Sequence, residues 1–457
     1  MILFRNTFLL LTALLVLSQC ESVIDSNTPD SGTLNLDRYV AVGNSLTAGY
    51  ADNALYLEGQ LVSYPNLLSQ QFQKVGGGNF KQPLVDAGPG SDANGNARLV
   101  LGLSNGNLGP MPAAAQGQNI FDDRFTEPVQ NLGVPGARVF HIPLEGFGNT
   151  QAGAGNFNPF YTRFKSSANA SLLQDAVSQN PTFFSLWIGN NDVLGYGTSG
   201  GVGTINGISD IDITPLSVFT DAITATVQAL VSTGADGVIL NIPDITSIPF
   251  FTTVPWDAVE LTATQASNFR SQLSSAGVPS AYIPNYQAGF NGFLIVDPDL
   301  DDRPEQFRFR LATAEDHILL TVPQDSLQPA PLGPGWGTTV PIPDQYTLRA
   351  PQAANVAEAT AQFNNVIENL ASEHNLVFVD VNALLVGVKE QGGINFDGMT
   401  LTLDFVSGGI FSLDGVHLTD RGNAIVANYI IESLNNAFGA AIPVFNIGDF
   451  KGVRFPG

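Results

Sequence analysis

A single cysteine, Cys20, excludes an intramolecular disulfide and any zinc or iron–sulfur site built from several thiolates. Cationic residues are scarce as well: 18 lysines and arginines stand against 41 acids, giving a net charge of −23. Binding to nucleic acid needs a cationic face and adhesion to anionic lipid a basic patch, and the sequence offers neither. No apolar run reaches the ~20 residues that span a membrane. There is no internal repeat, and histidine is limited to four positions, 141, 317, 374 and 417. What is abundant is glycine and proline, 47 and 28 residues, interleaved with 44% hydrophobic residues. That mixture predicts long ordered loops on a packed core, and 457 residues suffice for one large domain with insertions or for two domains.

The N-terminal segment has Arg5 ahead of an apolar run, Phe8 to Leu17, of signal-peptide length. The run ends Leu17-Ser-Gln-Cys20, which resembles a bacterial lipobox, with Gln19 in place of the usual small residue. Residues 1–20 are therefore expected to be a lipoprotein signal peptide with Cys20 as the lipidated residue, and 21–35 a polar tether. The expected location is the bacterial cell envelope, with membrane contact through that lipid alone.

Tyr39-Val-Ala-Val42 reads as a short buried strand that breaks at Gly43 and presents Ser45 just past its C-terminal end. That end is where open α/β sheets place ligands and catalytic groups. A helix is expected over about 63–73, with Ser63 as its cap and Pro65 in its first turn. Residues 75–121, rich in Gly, Asn and Pro, read as a surface excursion walling a cleft. Asn131-Leu-Gly-Val-Pro-Gly136 looks like a strand turning into a helix through a glycine-rich corner. Thr182 to Ile188 and Gly237 to Pro243 are runs typical of strands buried on both faces, the first ending in Gly189-Asn-Asn-Asp192. Helical spacing is clear over 216–233, 356–370 and 419–438. Between about 255 and 350 the rhythm lapses, and we expect an inserted or lid subdomain. Its acidic run Asp297-Pro-Asp-Leu-Asp-Asp302 lacks the central glycine of a helix–loop–helix calcium site and reads as a solvated loop. Alternating strands and helices predict an α/β fold with a mainly parallel sheet.

A serine at a strand end becomes a nucleophile only if a base reaches it. Asp414-Gly-Val-His417 offers one, because an acid three residues before a histidine can turn back and accept its N–H. The tetrahedral oxyanion then needs donors, for which the Ser45 and Gly136 N–H groups and the Asn191 side chain are candidates. The Gly-x-Ser-x-Gly elbow is absent, since Thr47 occupies its last position.

The ordered blocks GNSLTAGY, NLGVPGA, WIGNNDVLGY and DGVHLTDRG resemble those of the SGNH (GDSL) hydrolases. The match covers the sheet skeleton, and Asn44 stands where the GDSL name has aspartate. The resemblance implies a three-layer α/β/α flavodoxin-like fold over 36–457, with insertions at about 75–121 and 255–350. It implies ester hydrolysis with no metal and no cofactor: Ser45 as nucleophile, His417 as base, Asp414 as its orienter, and Ser45, Gly136 and Asn191 around the oxyanion. The substrate is expected to be a small-molecule, lipid or acylated-sugar ester. Carboxylesterase or lipase action is the first expectation and carbohydrate acetylesterase action the second. An inactive binding or scaffold lipoprotein is the alternative from another class.

Overall fold

The computed structural model describes residues 28–104, 107–153, 155–327, 335–396 and 398–454. The expected signal segment, Cys20 and the first part of the expected tether lie outside the described residues. None of the described helices is long and apolar enough to cross a membrane.

Five strands form the central sheet: β1 Tyr39–Gly43, β2 Asn131–Gly133, β3 Phe183–Trp187, β4 Asp236–Leu240 and β5 Val377–Val379. All pair in parallel, in the order β2-β1-β3-β4-β5. This is the flavodoxin-like winding, whose switch point falls between β1 and β3. β1 and β3 are buried along their whole length, as their near-continuous apolar sequences predict, and the one polar residue of β3, Ser185, hydrogen-bonds Tyr39. Burial of each valine of β1 contributes about 1.5–3 kcal/mol.

The helices that frame the sheet and the site are α1 Ser45–Ala48, α2 Tyr64–Lys74, α3 Asn191–Thr198, α4 Leu216–Val231, α5 Ala263–Ser275, α6 Ala350–Glu373, α7 Val381–Glu390 and α8 Asp420–Phe438. α2 packs on α8 over one face of the sheet and α4 on α6 over the other, giving three layers. On the second face Phe219 and Phe363 stack with ring centroids 4.0 Å apart.

Register decides what meets at the sheet's C-terminal edge. Gly43 of β1 pairs with Gly133 of β2 and with Trp187 of β3, so the three strands end at one level. The residues that follow, Ser45, Gly136 and Asn191, therefore emerge side by side.

Four local expectations are corrected. Ser63 precedes α2 but does not cap it through its side chain; its hydroxyl donates to Gln60 O at 2.9 Å, and Pro65 sits in the first turn. Residues 75–121 contain a hairpin, Leu99–Ser104 with Asn107–Pro112. Its glycines and prolines had masked the period of two. Behind Gly136 the chain enters a single 3₁₀ turn, Val139–His141, in place of a helix. In the acidic run, Asp297 is buried and ion-paired to Arg310 at 2.6 Å and Arg349 at 3.4 Å, so the run's first residue is not solvated.

The stretch 255–350 has a core of its own, formed by Val259, Leu273, Tyr286, Phe293, Ile295 and Ile342 among others. Short antiparallel pairs such as Val259–Leu261 with Gly289–Asn291 and Leu294–Val296 with Phe309–Leu311 build it together with α5. Beyond β5 the chain also forms α7 and a hairpin, Ile394–Phe396 with Met399–Leu401, where sequence periodicity had run straight on to the last helix.

Candidate active site

Ser45 opens α1 directly after β1 and is 7% exposed. The tight return of α1 onto the sheet requires Gly43: a Cβ there would lie 2.1 Å from Thr47 Oγ1 and 2.4 Å from Trp187 O. Asn44 caps the helix, its Oδ1 accepting the Leu46 N–H at 3.0 Å.

His417 arrives from the other end of the chain, in the loop before α8. The helix itself starts only at Asp420, capped by Thr419, so Asp414 and His417 precede it. Gly415, at φ +72°, turns the loop so that carboxylate and ring face each other. Ser45 Oγ and His417 Nε2 are 2.9 Å apart, and His417 Nδ1 and Asp414 Oδ2 are 2.9 Å apart. A carboxylate only accepts, so Nδ1 carries the proton of a neutral ring and Nε2 is left to accept from the Ser45 hydroxyl. The Tyr50 ring packs against His417 with centroids 4.9 Å apart.

Asp414 is saturated with donors. Oδ1 accepts from Val416 N at 2.9 Å, His417 N at 2.8 Å and Ser412 Oγ at 3.0 Å, and Oδ2 from Asn53 N at 2.9 Å as well as from the imidazole. Burial by itself raises this carboxyl, but the imidazole and the backbone N–H groups outweigh it and hold the group well below the usual carboxylate range. The two chain segments are clamped by Asp52 and Asn53, at φ 51° and 61°. Asp52 N donates to Ser412 Oγ at 3.1 Å, and Asp52 Oδ1 accepts from Leu413 N at 3.0 Å. Burial, with the Asp414 charge as a smaller contribution, pushes the Asp52 carboxyl up. Sequence inspection missed this clamp. Its one local signal is an Asp-Asn pair, residues that tolerate left-handed turns, seven residues beyond the serine.

The oxyanion candidates follow the ends of β1, β2 and β3 at the sheet's C-terminal edge. The Ser45 N–H precedes the first intrahelical donor of α1, and the exposed Gly136 has φ +78°; neither N–H has an acceptor among the described residues. Asn191 Nδ2 donates to Ala137 O at 2.8 Å, which uses one amide hydrogen and leaves the second. Asp192, fully buried behind it, accepts from Val139 N at 3.0 Å and Thr214 Oγ1 at 2.7 Å and so ties α3 to the turn that carries Gly136. Burial pushes its carboxyl up to about 6, against these two bonds and Arg138. For a carboxyl raised in this way the stabilisation is complete below the ordinary value of ~4 and is lost as pH rises through about 6.

Beside Ser45 and His417 lies a cavity of about 100 Å³ whose walls are almost wholly apolar, with Trp187, Leu194, Ile248, Leu385, Phe411 and Ile425 among them. Its lining comes from 44–46 and 187–194 at the ends of β1 and β3, from 243–248, from α7 and from the 394–426 region; among the described residues none of it comes from 75–121 or 255–350. The excursion expected to wall the cleft contributes Arg98, Leu99 and Val100 instead to a separate cavity of about 690 Å³ that Asp52 also lines.

The remaining histidines are elsewhere. His141 stacks on Phe147, accepts the Arg138 N–H at 3.0 Å through Nδ1, and is lowered to about 4 by burial and by Arg138. His317 contacts Phe251 O at 3.1 Å, and His374 Nε2 is buried without a partner among the described residues. Among the described residues no group of three or more His, Cys, Asp or Glu is arranged to hold a metal ion.

No family model and no curated protein match the chain. Solved structures do. An acetylxylan esterase from Geobacillus stearothermophilus aligns at 12% identity and a TM-score of 0.35, over 88% of this chain and 95% of its own. An extracellular lipase from Streptomyces rimosus aligns at 14% identity and a TM-score of 0.32, over 87% and 98%. Likeness this distant carries no weight for activity, which rests on the residues themselves.

Proposed function

We propose that this protein is a serine hydrolase of carboxylic esters, a member of the SGNH type. The observation that supports this most is the hydrogen-bonded line Ser45–His417–Asp414, with 2.9 Å at each step, opening onto an apolar cavity. In this reading His417 Nε2 takes the Ser45 proton as Oγ attacks the ester carbonyl carbon. The Ser45 and Gly136 N–H groups and the free Asn191 amide hydrogen stabilise the oxyanion. His417 returns the proton to the departing alcohol, and water repeats the sequence to release the acid. Turnover of p-nitrophenyl esters tests the reading; a folded protein that hydrolyses none of acetyl to octanoyl esters overturns it.

The cavity favours an acyl chain over an acetylated sugar, because sugar binding calls for polar walls. A cavity of about 150 Å³ accommodates benzene, so about 100 Å³ corresponds to roughly four carbons. Butyryl esters are expected to exceed acetyl esters by at least about tenfold in kcat/KM. Leu385→Trp, which fills the cavity from α7, is expected to erase that preference; acetyl and butyryl kcat/KM measured on the variant check it.

Asn191→Ala is expected to lower kcat by about 10²–10³ with KM nearly unchanged, since its bond strengthens in the transition state. Steady-state kinetics at neutral pH check this. An inert substitution would leave the oxyanion to the two backbone donors.

We infer further that the protein is held at the bacterial cell envelope by a lipid on Cys20, which the Leu-Ser-Gln-Cys sequence at the end of the apolar run supports. Cys20→Ser is expected to move the protein from the membrane to the soluble fraction. A variant that stays with membranes as wild type does would sink the anchor.

A further inference from the structure

Among the described residues, one polar group of a residue that lines the cavity has no partner, and a chain of hydrogen bonds dictates which way it faces. Asn44 Oδ1 accepts the Leu46 N–H at 3.0 Å, and a backbone donor can be matched only by the oxygen of that amide. Asn44 Nδ2 therefore faces the other way and donates to Asn190 Oδ1 at 3.0 Å. This fixes Asn190 in turn: its oxygen is held by Asn44 and its Nδ2 points away. Asn190 is only 6% exposed, and no acceptor meets Nδ2 among the described residues. Nδ2 is not one of the fully enclosed unpaired atoms, and Asn190 lines the apolar cavity together with Asn44, Ser45, Asn191 and His417.

An amide donor that opens into a mostly apolar cavity is left to water until an acceptor arrives, and once a ligand excludes that water the donor must be matched by the ligand. An ester brings acceptor oxygens to this cavity, and its acyl chain satisfies the rest of the wall. We propose that Asn190 is a substrate-binding residue whose Nδ2 donates to an oxygen of the ester held beside Ser45, and that Asn44 is the positioning residue that aims it. The inference rests on the ester-hydrolase reading above. It also gives a reason for asparagine at position 44. Aspartate there would set oxygen against oxygen, so that Asn190 would have to turn over and present Oδ1, an acceptor, to the ester.

The test is a cycle of variants assayed on p-nitrophenyl butyrate, with thermal unfolding as the check on folding. Asn190→Ala removes the donor and is expected to lower kcat/KM by about 10–100-fold. Asn190→Ser can accept from Asn44 through its oxygen and give its own proton to the ester, so it is expected to stay within about tenfold of wild type. Asn44→Asp alone is expected to lose about as much as Asn190→Ala. The decisive member is Asn44→Asp combined with Asn190→Ser. Its hydroxyl must donate to the new carboxylate and faces the ester as an acceptor, so the activity recovered by serine over alanine is lost again. A purely structural role for the pair would make activity follow stability, and Asn190→Ser would then serve as well in the Asn44→Asp background as in the wild-type one. That result, or wild-type kcat/KM in Asn190→Ala, overturns the inference while leaving the hydrolase reading intact. A wild-type protein inert to all esters overturns the reading and this inference together.

Discussion

Ser45→Ala is expected to lower kcat by about 10⁴-fold or more while the fold persists. The serine hydroxyl's hydrogen bond among the described residues is to His417 Nε2 at 2.9 Å, and removing the hydroxyl vacates little volume. Unfolding should therefore be nearly unchanged while the nucleophile is gone. An organophosphonate should label the wild-type protein at Ser45 and at no other serine, and the variant should resist it. Mass spectrometry of the labelled peptide is the measurement. A label on another serine, or an alanine variant with substantial turnover, would remove Ser45 from the reaction.

Asp414→Asn is expected to lower kcat by about 10⁴-fold at neutral pH. The amide can accept from some of the groups that surround the carboxylate, but its NH₂ is set against backbone N–H donors or against the imidazole. The tautomer that leaves Nε2 free for the serine is then no longer enforced. The loss should shrink at alkaline pH if the imidazole relies less on its carboxylate there. A pH profile of kcat for both proteins checks this, and full activity at neutral pH would make Ser45–His417 a dyad.

The same substitution has a stability signature with a definite sign. The Asp414 carboxyl is held below its usual range, so its contribution is present above the unfolded value of ~4 and is lost as pH falls further. The Tm gap between wild type and Asp414→Asn should be widest near neutrality and should narrow in acid. Asp192 titrates with the opposite sign, but in both proteins alike, so it cancels from the difference.

Much of this protein can be read from local sequence because local chemistry decides it. β1 and β3 are short, near-continuous apolar runs that suit a doubly covered strand, and their ends are marked by glycine and asparagine. Ser45, Gly136 and Asn191 could be named as candidates because each follows such an end. Asp414 and His417 could be paired because three residues separate them. The expectation for Cys20 rests on the same kind of local signal and lies outside the described residues.

Only tertiary structure decided the rest, because the deciding contacts join residues far apart in the chain. Nothing near Asn53 announces that its N–H will meet Asp414, 361 residues away, and nothing near Asn44 announces Asn190, 146 residues away. The hairpin at 99–112 pairs across glycines and prolines that hide its alternation, and 255–350 gathers a core from strands of two or three residues, too short to show a period. The cavity beside Ser45 draws its walls from 44–46, 187–194, 243–248, α7 and the 394–426 region, which become neighbours only when β1, β3, β4 and β5 pair in register. A turn or a strand end is set by a few adjacent residues, whereas the shape of the apolar cavity is set by packing between elements whose order along the chain does not reveal their proximity.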